Sequence, residues 1–109
     1  MTMDNANILL MLKANLEMAT TSHDVYLAQL LEVAFKAIQE EGIKIEKIAS
    51  EVADYEIEDI QDVNLMVMYA AYLYRKRADE GSPQMPRMLR YALNNRLFSQ
   101  KMKESTDAS

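Results

Sequence analysis

Asp24-Val-Tyr-Leu-Ala-Gln-Leu-Leu-Glu-Val-Ala-Phe-Lys-Ala-Ile-Gln-Glu-Glu-Gly42 is the stretch whose reading decides the fold. Leu27, Leu30, Leu31, Ala34 and Ile38 recur at helical spacing and make one apolar stripe. Gln29, Glu32, Lys36, Gln39 and Glu40 make the wet face, with Glu32 and Lys36 at the favourable i,i+4 spacing. His23 and Asp24 open the helix, Asp24 placing an acid at its positive end, and Gly42 stops it. A helix of this length spans roughly 28 Å.

Working outward, Asn5 is a good N-cap for a first helix reaching Leu16, with Ile8, Leu9, Leu12 and Leu16 on one face and a loop at 17–22. Downstream, Asp59 is the N-cap of a third helix that ends at Asp79 or Glu80 and is closed by Gly81. Its stripe of Val63, Met66, Val67, Ala70, Leu73 and Tyr74 is expected to pack on the second helix. A second apolar face, Leu65, Met68, Tyr69 and Tyr72, needs cover of its own, from the first and fourth helices or from another subunit. Residues 81–86 read as a turn, and Pro86 opens a fourth helix that runs to about Gln100. That helix turns Met88, Leu89, Ala92, Leu93 and Leu97 to one side, with Arg96 in the middle of the arc. A guanidinium there must be paired or lie where the helix leaves the core.

Between Gly42 and Asp59 two patterns compete. Ile45, Ile48, Ala49 and Val52 have helical spacing, whereas Ile43-Lys-Ile45 and Tyr55-Glu-Ile57 alternate. The segment reads as a loop holding one weak helix. The expectation is therefore an all-α protein: a small bundle of about four helices, one domain over residues 1–102, and a flexible polar tail at 103–109.

Composition agrees. The chain has 109 residues, half of them apolar, with two Gly and two Pro, which suits a single helical core. The absence of Cys excludes disulfides and thiolate chemistry. The longest apolar run, Leu65 to Tyr74, is half of the roughly 20 residues that span a bilayer, so no membrane association is expected. Charge is unevenly placed. Residues 1–74 carry four Lys against thirteen Asp and Glu, while residues 75–103 carry eight Lys and Arg against Asp79 and Glu80. An acidic body with a basic end section suits head-to-tail assembly.

Chemistry is sparse. A lone His23 without Cys makes no transition-metal set, and glycine only at 42 and 81 makes no phosphate loop. The acidic cluster Glu46, Glu51, Asp54, Glu56, Glu58, Asp59 and Asp62 lacks the ordered pattern of a calcium loop and reads as solvated surface or half of an assembly contact. No catalytic residue, metal or cofactor is expected. The basic helix 86–101, where Arg87, Arg90 and Asn94 share a face beside Tyr91, gives an alternative reading as a nucleic-acid-binding or regulatory protein.

The stretches Val67-Met-Tyr-Ala-Ala-Tyr-Leu-Tyr-Arg-Lys-Arg77 and Met85-Pro-Arg-Met-Leu-Arg-Tyr-Ala-Leu-Asn-Asn-Arg-Leu-Phe-Ser-Gln-Lys101 resemble the small head–tail connector (head-completion adaptor) proteins of tailed phages and prophages. The similarity extends over most of residues 8–101, departing in the longer acidic stretch at 44–58. It implies a bundle built on two long antiparallel helices, and a ring, usually of twelve copies, beneath the portal at the head vertex. Such a ring extends the DNA channel without binding DNA specifically and carries the next neck (stopper) protein. It implies a place in the virion at the head–tail junction, and in the host cytoplasm before assembly. Carried onto this chain, Arg87, Arg90, Arg96 and Lys101 become candidates for portal or neighbour contacts. Leu65, Met68, Tyr69 and Tyr72 become candidates for a lateral interface. If Arg96 faces an acidic partner, Arg96→Leu is expected to spare the isolated fold.

Overall fold

The computed structural model describes residues 2–51, 53–78 and 85–107. Within them the order is β1 (Met3–Asp4), α1 (Asn5–Asn15), α2 (Asp24–Glu40), β2 (Lys47–Ala49), β3 (Tyr55–Ile57), α3 (Ile60–Ala78) and α4 (Arg87–Asp107). The chain is thus mostly helical, but not strictly all-α. The turn expected at 81–84 and the closure of α3 at Gly81 lie outside the described residues.

The α2 stripe behaves as its spacing demands: Leu27, Leu30, Leu31, Ala34 and Ile38 are all buried. Gly42 follows the helix at φ +100°, a left-handed conformation that a side chain disfavours. α3 lies against α2 in the antiparallel sense. Tyr26 near the start of α2 meets Tyr74 near the end of α3 at a tilt, with ring centroids 6.3 Å apart, and His23 meets the same ring edge-on at 6.5 Å. The Arg77 guanidinium covers Tyr26 at 4.7 Å. α3 begins as expected at Asp59, whose Oδ1 accepts the Gln61 amide at 2.9 Å.

α1 is capped one residue earlier than expected. Asp4, not Asn5, is the N-cap, accepting the Asn7 amide at 2.8 Å. Asn5 instead reaches across the chain, its Oδ1 accepting the amides of Asp54 and Tyr55 at 2.9 and 3.2 Å. At its other end α1 closes with Met18 N–H donating to Lys13 C=O and Glu17 N–H to Ala14 C=O, which places Glu17 at φ 57°. Lys13, nearly buried, pairs with Asp24 at 2.9 Å and ties this end to the start of α2. Arg75 donates to the Asn15 carbonyl at 3.2 Å, satisfying one of the last acceptors of α1.

The segment 43–58 corrects the expectation of a weak helix. It forms a hairpin, β2 with β3, to which β1 adds on the other edge, giving an antiparallel sheet of order β1-β3-β2. Ile43, Ile45 and Ile57 are buried, so it was the alternating signal that carried the structure. The hairpin is pinned to α2 by Lys47, whose ammonium lies 4.2 Å from the Phe35 ring and 4.4 Å from the Tyr55 ring and pairs with Glu32 at 2.9 Å. Burial, with the charges of Glu32 and Asp54, pushes the Tyr55 phenol up to about 12.

Candidate functional site

α4 has apolar residues on two sides, one buried and one exposed. Pro86 starts it, with its carbonyl accepting the Arg90 amide at 3.1 Å. Toward the body it turns Leu89 and Leu93, each 1% exposed. Arg96 and Gln100 continue the same side by helical periodicity. Away from the body it turns Met88 (76% exposed), Tyr91 (61%), Phe98 (66%) and Met102 (54%). Met88 was expected on the core side. The body meets only a narrow strip of α4 around Leu89 and Leu93, and Met88 lies about 100° around the helix from Leu89. The helix also runs on to Asp107, past the end expected near Gln100.

The outer residues fall at 88, 91, 95, 98 and 102, with Asn95 at the centre. This 3-4-3-4 spacing is that of a coiled-coil seam, and it was present in the sequence. It is hard to see there because Met88 adjoins Leu89 of the inner arc and the polar Asn95 interrupts the apolar positions. Arg87, Asn94 and Lys101, all exposed, follow one flank of the seam.

The inner side of α4 is held largely by polar contacts. Arg90 donates to both carboxylate oxygens of Glu41, at 2.9 and 3.4 Å. Gln100 closes a two-way bond with the Lys44 backbone, at 2.8 Å in each direction. Arg96 donates to Asp62 at 2.9 Å, to Gln61 at 2.9 Å and to Asp59 at 2.8 Å. Asp62 is only 3% exposed. Burial pushes its carboxyl above the ordinary carboxylate value, against the pull of the Arg96 hydrogen bond and charge. A groove of about 740 Å³ runs beside this network, with Glu46, Glu58, Ile60 and Lys103 among its lining residues.

The proposed contact residues therefore divide. Arg90 and Arg96 both pair with carboxylates of the same chain, and with Arg96 engaged in this way Arg96→Leu is expected to cost stability. Arg87 and Lys101 are exposed. Leu65 is 4% exposed and belongs to the core. Met68, Tyr69 and Tyr72 are half-buried and packed against it, with the Tyr69 and Tyr72 rings 5.9 Å apart. The second face of α3 is thus covered mainly from within the chain. No group of three or more acidic or histidine side chains is placed to hold a metal among the described residues. Nor is any helix there long and apolar enough to cross a membrane. No protein-family model matches the chain, and no curated protein or solved structure is found similar to it.

Proposed function

We propose that this protein is a structural subunit that acts by docking to other protein chains and catalyses nothing, and that its setting is the neck of a tailed phage. There it joins a ring beneath the portal, connects head to tail and lets DNA pass without specific contacts. The observation that carries the docking reading is the outer seam of α4. Four large hydrophobic side chains more than half exposed on one helix face are a costly surface for a chain that works alone. The phage setting rests on the connector resemblance of residues 67–77 and 85–101.

The alternative, a nucleic-acid contact through helix 86–101, is weaker than its sequence suggested. Arg90 and Arg96 are paired with carboxylates of the same chain, leaving Arg87 and Lys101 as the exposed basic residues of that helix up to residue 101.

Particle imaging of the purified chain, alone and mixed with a portal ring, tests the proposal. Rings alone, or decoration of the portal, are the expected result. A protein that stays strictly monomeric and leaves the portal bare overturns it.

A further inference from the structure

The outer seam of α4 reads as heptads. Met88, Asn95 and Met102 fall at the first core position, and Tyr91 and Phe98 at the second. The helix that carries them has 21 residues, three heptads in length.

Asn95, exposed at the middle of the seam, narrows what can cover it. Laid against a purely apolar partner, its amide would lose water and gain nothing. A second copy of α4 in register brings another Asn95 to the same level, where the two amides can bond to each other. A single Asn at the first core position fixes register and strand number in paired helices of this kind.

Charge then sets the direction. In an antiparallel pair centred on Asn95, each flank meets the same flank of the other copy, and Arg87 comes against Lys101. In a parallel pair opposite flanks meet, so Arg87 falls beside Ala92 of the other copy and Asn94 beside Ser99. Neither of those contacts opposes like charges.

The body leaves room for such a partner. Leu93, buried, and Asn95 are two residues apart, hence about 160° around the helix, so each body lies on the far side of its own α4. The helix is also fixed beforehand, by Arg90 on Glu41, Arg96 on Asp59 and Asp62, and Gln100 on Lys44. Pairing therefore has no loose segment to order.

We propose that the free chain forms a reversible dimer in which the outer seams of two copies of α4 pair side by side, parallel and in register. Tyr91 and Phe98 meet their counterparts across the two-fold axis, and the Asn95 amides bond at its middle. The few side chains contributed by each copy make a small contact, so the pair forms at high concentration and separates on dilution. Being two-fold, it closes on itself and does not grow. It rests on the same seam as the docking reading, and a portal or neck neighbour takes the place of one copy.

The chain has no Cys of its own, so single cysteines report the geometry. Under mild oxidation at high concentration, Met88→Cys and Met102→Cys should each link to itself roughly tenfold faster than Gln39→Cys, a control on the exposed face of α2. Adding Phe98→Ser should abolish that advantage. In sedimentation equilibrium the unaltered chain should be a dimer at high concentration. Asn95→Leu should tighten its association roughly tenfold and admit species larger than a dimer. Seam cysteines that link no faster than the control overturn the pairing. Faster linking of Met88→Cys to Met102→Cys than to itself shows an antiparallel pair and overturns the parallel one. Association unchanged by Asn95→Leu overturns the register. An unaltered chain that forms rings by itself overturns the dimer and upholds the assembly reading. One that stays monomeric at every concentration also overturns the dimer, and portal decoration then decides the assembly reading separately.

Discussion

α2 and α4 are both long helices with buried leucines, yet α2 turns its main apolar stripe into the fold and α4 turns half of its apolar residues out of it. In α2 every apolar residue of the expected stripe is buried, and the opposite face is mostly polar. In α4 the apolar residues are split between two sides, and the inner side is completed by Arg90, Arg96 and Gln100. α2 has eleven apolar residues in seventeen and α4 eight in twenty-one, and the direction in which they point separates the two helices further. A single-sided helix is stabilised by its own chain, whereas a two-sided one on a small body leaves a face for something else. The Cα radius of gyration, 14.6 Å, exceeds the roughly 13 Å of a compact domain this size, as a helix lying partly clear of the body would produce.

The largest effect expected from this contrast is on stability. Leu31 is 2% exposed at the α2–α3 seam, so Leu31→Ala should cost about 3 kcal/mol in urea unfolding. Phe98→Ser, on the open face of α4, should change stability by no more than about 0.5 kcal/mol. Equal costs would break the comparison, because they would mean the outer seam is packed within the subunit.

Next comes the latch that holds α4. Arg96→Leu should destabilise by about 2–4 kcal/mol at neutral pH, since it leaves Asp62 buried without its cation. The pH dependence gives a sharper check. A carboxyl whose folded-state pKa lies above its unfolded value favours the folded state most below the unfolded value, and that share is lost as pH rises through the folded one. The penalty of Arg96→Leu should therefore shrink on acidification toward the ordinary Asp range, as Asp62 takes up a proton. A cost independent of pH would show that Arg96 acts through its packing alone.

Much of this was legible in the sequence, for reasons that differ by region. α2 is legible because buried apolar positions recur at helical spacing from Leu27 to Ile38 and Gly42 ends the pattern. Asp59 is readable as a cap because its Oδ1 accepts an amide in the first turn of its own helix, a local contact that sequence position alone indicates. The hairpin was harder: each strand is three residues, too short for alternation to outweigh the competing helical spacing of Ile45, Ile48 and Ala49. Arg96 reads in the sequence as a guanidinium that needs a partner, but the partner is not legible there, because Asp59 and Asp62 are more than thirty residues away and only the antiparallel packing of α3 and α4 brings them together. Met88 was misplaced because spacing gives a helix its faces without saying how wide a strip the body will cover.

The end of α2 supplies a smaller test of how tightly α4 sits. A Cβ added at Gly42 would lie 3.3 Å from Leu97 Cδ1, and the residue has φ +100°. Gly42→Ala should cost about 1–2 kcal/mol, most of it from the backbone, because the Leu97 side-chain end can shift. If Leu97→Ala in the same protein recovers a substantial part of that loss, contact with α4 matters more than the backbone does.

The smallest effect expected is a gain. Glu17 ends α1 at φ 57°, a conformation that costs an ordinary L-residue energy and a glycine almost none. Its amide and that of Met18 close the last turn of α1, so the left-handed geometry is required by the hydrogen bonding rather than by the glutamate side chain. Glu17→Gly should therefore stabilise the protein by about 0.5–1 kcal/mol, and Glu17→Asn by less, read as a rise in the urea midpoint with an unchanged slope. The contrast with Gly42 is the point of the experiment. Both positions close a helix in the same left-handed region, one with the residue suited to it and one without. If Glu17→Gly leaves stability unchanged or lowers it, the glutamate side chain must contribute enough of its own to offset the strain, and the backbone account of both helix ends would have to be revised.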